Sequence, residues 1–191
     1  MGRHADALKL REETLALQRA KRGPDDPGTL LSMWGVAESL VKLDRGAEAI
    51  RIIDECLKRA ADKAVDPRLI PHVIDVRLRH FEKKKDAAGC RATAEMLEKM
   101  KRTDANTLYN AACMRAVTAA VIRGADKSPA ASKEADAEAD RAVAWLKQAV
   151  AAGFNNAAHL KKDTDLDALR QRPDFRKLLA ELDAGNGKKK E

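Results

Sequence analysis

Apolar residues recur along this chain at helical spacing. Between Thr29 and Leu43, Met33, Val36, Ala37 and Leu40 fall at i, i+3, i+4 and i+7, the stripe of an amphipathic helix that needs a covering partner. Four segments share a second pattern: Ala7 to Leu15, Ala49 to Leu57, Gly89 to Leu97 and Ala142 to Val150, whose starts lie 42, 40 and 53 residues apart. Each opens on a small residue with an apolar neighbour and carries a small or slender residue one heptad later. Positions i and i+7 share nearly one face of a helix, so a second helix can approach closely along that line. The spacing therefore predicts a repeat of antiparallel helix pairs.

Turn and breaker residues divide the pattern consistently. Asp44-Arg45-Gly46 supplies a tight turn, a further apolar run extends from Leu69 to Phe81, and Pro24, Pro27 and Pro67 sit between pairs, where a proline starts a helix but does not continue one. Residues 124–138 lapse into Ala, Asp, Glu, Lys and Ser and read as an exposed insertion loop whose second half joins the following helix, which accounts for the longest spacing. From Asn155 onward, short helices separated by Asp163 and Pro173 read as a cap over the last pair within 139–182. Residues 183–191, ending in Lys188-Lys189-Lys190, read as a disordered basic tail.

Composition reinforces the helical reading. Aromatics make up 3% of the chain and β-branched residues are sparse, so an all-α fold is expected. No apolar run reaches membrane-spanning length and no signal-peptide core follows Met1, which leads us to expect a cytoplasmic protein. The myristoylation pattern fails at Asp6, where a hydroxyl residue belongs. Cys56, Cys90 and Cys113 lie 34 and 23 residues apart with no C-x-x-C pair, and read as small buried residues.

The segments Gly2 to Leu8 and Gly23 to Leu30 resemble the inter-repeat sequence of tetratricopeptide-repeat proteins, in particular the long repeats of kinesin light chains and many bacterial proteins. The resemblance implies an all-α tetratricopeptide-type α-solenoid with a C-terminal helical cap. It divides the chain into a half repeat at 2–22, repeats at 28–62 and 68–102, and the first helix of a last pair at 104–123. Arg77 stands where the family prefers glycine or alanine, and His80 where it prefers an aromatic. Tyr109 to Cys113, Asp163 to Leu169, Arg172 to Phe175 and Leu178-Leu179 are similar to segments that close bacterial proteins of this family, some with a serine/threonine kinase in front. Because the half repeat lacks its covering helix, we expect either a longer parent chain or a partner on that face, with self-association among the possibilities.

No H-E-x-x-H, phosphate-binding glycine loop, H-R-D or D-F-G sequence is present, and Asp163 to Asp167 lacks the glycine and distal glutamate of an EF-hand. No catalysis, cofactor or metal is expected. Carried over by resemblance, the concave groove comprises Leu31, Trp34, Glu38, Val41, Ile74, Leu78, Phe81, Tyr109 and Cys113, where aromatics would anchor a peptide or helix. Trp34 and Phe81 read equally well as packing between repeats. Apart from Asn110, these positions lack the carboxylate clamp of chaperone-binding members. Arg77, Arg79, Lys83, Lys84, Lys85, Lys99, Lys101 and Arg102 form a basic patch on a segment, 68–102, with ten Lys/Arg against five Asp/Glu. The expected function is a protein-interaction scaffold. The alternatives are a regulatory tail of a larger signalling kinase and, behind that, nucleic-acid binding through the basic pair, which the scarcity of aromatics among the charges disfavours.

Overall fold

A computed structural model describes residues 2–61, 69–101 and 103–187, all of whose regular elements are helices. The chain separates into two compact units, with the division between His80 and Phe81. The first holds α1 (Gly2–Arg22), α2 (Pro27–Lys42), α3 (Gly46–Ala61) and most of α4 (Leu69–Lys83). Pro67 and Arg102 lie outside the described residues.

Local chemistry explains where the helices of the first unit start and stop. Asp26 caps α2, its carboxylate accepting from the backbone N–H groups of Gly28 at 2.9 Å and Thr29 at 3.3 Å, and Pro27 occupies the first helical position, where its missing N–H costs nothing. The turn into α3 runs through Asp44 at φ +61°, a left-handed conformation that Asp tolerates better than most residues. Between them α2 buries Leu30, Met33, Val36, Ala37 and Leu40 against α1 on one side and α3 on the other. From α1, Arg11 reaches across to Gly35 O at 2.6 Å, Ser39 Oγ at 2.8 Å and Glu38 at 2.9 Å, fixing the register of the pair. Helices α3 and α4 are joined by an ion pair between Asp54 and Arg77 at 2.8 Å.

The second unit contains α5 (Ala87–Lys99), α6 (Ala105–Ala125), α7 (Pro129–Ala151), α8 (Ala157–Lys162), a 3₁₀ helix (Thr164–Leu169) and α9 (Pro173–Gly187). Asp86, Asp104 and Ser128 cap α5, α6 and α7 respectively. Helix α6 is buried almost all round, as a helix at the centre of a bundle must be, and α7 packs along it through a line of small residues. That line is Ala131, Ala135, Ala139, Ala142 and Ala149, with Leu146 interposed, all buried. With no long side chains between them, the two backbones come close, and dispersion over many atoms compensates for the small apolar area of each alanine. The cap adds Leu160, Leu166, Leu169 and Phe175, each at most 1% exposed.

Amid this apolar packing lies a closed network of charges. Arg115, 1% exposed on α6, donates two bonds to Glu98 of α5 at 2.7 and 2.6 Å and one to Glu138 of α7 at 2.8 Å. Glu138, 3% exposed, also receives Arg91 Nε at 2.7 Å, and the Trp145 indole donates to Glu98 at 2.8 Å. Each charge is thus matched and hydrogen-bonded, which is the condition for holding it inside a protein. Burial raises the Glu98 carboxyl, yet the hydrogen bond and charge of Arg115, aided by Trp145 and Arg141, outweigh it and hold the group below its ordinary value of 4.5.

Two sequence expectations differ from the structure. The insertion expected over 124–138, with only its second half joining the next helix, is helical already from Pro129, leaving 126–128 between α6 and α7, because Ser128 and Pro129 start the helix and the alanine stripe buries it. Residues 183–187, expected in a disordered tail, complete α9, while 188–191 lie outside the described residues.

Two predictions follow from this packing. A Cβ on Gly89 would stand 2.2 Å from the Phe81 ring, whereas one on Gly124 meets nothing within 4 Å. Gly124→Ala should raise stability by up to about 1 kcal/mol through helix propensity, while Gly89→Ala, despite the same propensity gain, should lower it by about 1–3 kcal/mol through overpacking; urea unfolding of the two variants measures both. Replacing Arg115 by Ala strands buried carboxylate charge and should cost about 3–5 kcal/mol. Because the folded Glu98 pKa is depressed, its contribution is complete above 4.5 and disappears as the pH falls through the folded value. The stability gap between wild type and Arg115→Ala should therefore narrow in acid.

Candidate functional site

A cleft of about 220 Å³ opens between α2 and α4 in the first unit. Trp34, Glu38, Val41 and Lys42 line it from α2, and His72, Asp75, Val76 and Arg79 from α4. Each helix presents residues at helical spacing (34, 38 and 41; 72, 75, 76 and 79), so the cleft is built from one regular face of each. The half-buried Trp34 indole leans against His72, ring centroids 5.5 Å apart and planes 40° apart, and with Val41 and Val76 it supplies the apolar surface.

Ion pairs surround this apolar surface. Glu38 accepts from Lys42 at 2.9 Å and from Arg11 at 2.9 Å, and its carboxyl is held below the ordinary value chiefly by the Lys42 hydrogen bond, against the opposing effect of burial, with Arg11 adding to the lowering. Asp75 and Arg79 pair at 3.2 Å one turn apart on α4. The Trp34 Nε1–H is buried without a hydrogen-bond acceptor, whereas the Trp145 N–H has Glu98.

Residues 1–62, which carry α1 to α3, match the family model of the tetratricopeptide repeat. Over that segment, about a third of the chain, the protein is similar to the tetratricopeptide repeat. Comparisons with curated proteins and with solved structures return no match. Tetratricopeptide repeats are protein-interaction scaffolds in general, and the all-helical architecture accords with that class. Among the described residues no helix is long and apolar enough to cross a membrane.

The nine groove residues expected for a tetratricopeptide protein occupy different environments. Trp34, Glu38 and Val41 line the cleft, and Leu31, 52% exposed, lies one heptad before Glu38 on α2. Ile74 and Leu78 are 0% and 1% exposed and belong to the core, as Phe81 in the second unit belongs to the packing over Gly89. The cleft also takes in Lys42, His72, Asp75 and Val76, which the expected groove did not include, and Arg79, which had been assigned to the basic patch. On α4 the open face is two residues out of register with the expected one. The signal available was the amphipathic phase of α4 itself, in which Val73, Ile74 and Leu78 form the apolar side.

Tyr109 and Cys113 are each 6% exposed and join a cluster of the second unit. The Tyr109 hydroxyl donates to Asp163, the Cys113 thiol lies 3.8 Å from the same carboxylate oxygen and His159 Nε2 3.5 Å from it, while Phe154 stacks on Tyr109 at 4.4 Å. Ligand atoms of Cys113, Asp163 and Asp165 lie within 4.8 Å of one another, as metal donors do. Asp163 is nevertheless already engaged: its other oxygen caps the 3₁₀ helix by accepting the Asp165 N–H at 3.0 Å. The cluster clasps the start of α6 to the cap. Of the basic residues, Arg77 and Arg79 pair with Asp54 and Asp75 in the first unit. Lys83, Lys84, Lys85, Lys99 and Lys101 are exposed in the second, and Arg102 lies outside the described residues.

All three cysteines are buried, and burial, followed by the nearby Glu55 charge, pushes the Cys56 thiol up to about 11. At pH 8 the native chain should therefore react with a disulfide reagent at least about a hundredfold more slowly than the urea-unfolded chain, since the thiols become available through opening of the fold. Comparison of the two rates by absorbance tests this, and rapid reaction of a native thiol would contradict it.

Proposed function

We propose that this protein is a binding scaffold whose α2–α4 cleft seats one apolar side chain of an extended or helical segment from a partner protein. The observation that carries the reading is the half-buried Trp34 indole, which with Val41 and Val76 gives the cleft an apolar wall. The volume supports a side-chain anchor over a cofactor pocket, because metabolite and cofactor sites span about 300–1,000 Å³. Aromatic surface flanked by charge fits the usual composition of an interaction hot spot. The charges at the edge already have partners within the chain, so an apolar anchor is seated without stranding any of them.

Capture of partners on the immobilised chain, followed by titration with peptides from the captured protein, tests the assignment. Trp34→Phe keeps a ring but loses part of the apolar area and should weaken binding by about threefold to tenfold. Trp34→Ala removes the wall as well and should weaken it about thirtyfold or more. Unchanged affinity in both variants, with folding intact by circular dichroism, would remove the cleft from the account.

A further inference from the structure

We propose that two copies of this chain associate through α1, antiparallel and about a two-fold axis passing between Glu13 and Thr14. The starting observation is a pair of exposed leucines: Leu10 is 64% and Leu17 59% exposed, the most exposed large apolar side chains of the described residues. They stand one heptad apart, on nearly one face of α1, away from the side on which Leu8, Arg11, Leu15 and Gln18 engage the rest of the unit. Isolated surface leucines need no explanation, but two on one stripe form a short seam that water covers poorly.

The charges flanking the seam identify the occupant. Asp6 precedes Leu10 by one turn and Lys21 follows Leu17 by one turn on the same stripe, and neither is in an ion pair among the described residues. When a second α1 is laid antiparallel so that its Leu17 meets Leu10, the two-fold axis brings its Leu10 to Leu17, its Lys21 to Asp6 and its Asp6 to Lys21. At the axis Glu13 meets Thr14 of the second copy, so no like charges face each other there. One register thus satisfies the apolar and electrostatic matches together, which is the self-complementarity that an isologous contact requires. A parallel arrangement would set Asp6 against Asp6 and Lys21 against Lys21, and the preference between the two orientations follows from that difference. A single-helix seam falls below the roughly 1,200 Å² of standard interfaces, so the dimer should be weak and in exchange with monomer.

Sedimentation equilibrium of the full chain over about 1–500 µM tests the proposal, because an interface of this size corresponds to micromolar dissociation. The weight-average mass should rise with concentration toward twice the monomer value and no further. Leu10→Ser with Leu17→Ser, both on an exposed face and checked for unchanged thermal unfolding, should weaken association at least about tenfold. Asp6→Lys or Lys21→Asp alone should weaken it also, whereas the two together exchange the charges and should restore it. A monomer at all concentrations would overturn the proposal. So would growth beyond a dimer, a dimer insensitive to the leucine changes, or failure of the double charge exchange to restore association. None of these variants touches the α2–α4 cleft, so peptide binding there is scored independently.

Discussion

Close approach of helices at positions that carry little or no side chain is the constraint on which the rest of this architecture depends. A Cβ on Gly46 would fall 1.9 Å from His80 Nδ1, and one on Gly89 would fall 2.2 Å from the Phe81 ring. In each case a ring from α4 occupies the space that a larger residue would claim. The same economy governs α6 and α7, where alanine meets alanine along several turns. A chain with 3% aromatic residues has few large side chains with which to fill gaps. It gains cohesion by shortening the distance between helices, and close packing at that distance is sensitive to a single added carbon.

The buried charges follow from the same geometry. Between closely spaced helices, long side chains can reach a neighbour from well inside the bundle, and Arg115 does so in two directions, toward Glu98 and Glu138. Such a network contributes little net stability relative to apolar residues of the same volume, since desolvation offsets most of the Coulombic attraction. Its effect on register is larger. Sliding α7 by one turn along α6 would keep alanine against alanine, but would separate Glu138 from Arg115 and Arg91 and leave buried charge without partners. The alanine line permits several registers, and the charges select among them.

The features legible in the sequence were those encoded by neighbouring residues. Helix pairs, the turn at Asp44, and starts such as Asp26-Pro27 depend on periodicity and local hydrogen bonds, and these appear directly in the residue pattern. Features that depend on distant residues were less accessible. The point in residues 124–138 at which loop gives way to helix was not legible, because alanine barely registers as apolar and the spacing of Ala131, Ala135 and Ala139 did not stand out among the charges. Arg115 lay in an apolar run with nothing nearby to announce partners 17 and 23 residues away. In the cleft, α2 carried its landmark in Trp34, while α4, with Arg77 and His80 at positions the family fills otherwise, offered no marker of phase and was read two residues out of register.

Charge is handled in opposite ways on the two faces of the first unit, and this sets how each can associate. In the cleft, Glu38 is held by Arg11 and Lys42, and Asp75 by Arg79. An incoming segment therefore meets pairs that are already neutralised, and its affinity must come from the apolar anchor, which depends only weakly on salt. On α1, Asp6 and Lys21 are unpaired among the described residues and solvated, so any attraction between copies is Coulombic across exposed surface and is screened over about 8 Å at physiological ionic strength. Salt should accordingly loosen the α1 contact while leaving occupancy of the cleft nearly unchanged. The two surfaces can thus respond separately to conditions although they lie on adjoining helices, because Arg11, the residue of α1 that reaches α2, spends its charge inside the unit and not on the outer stripe.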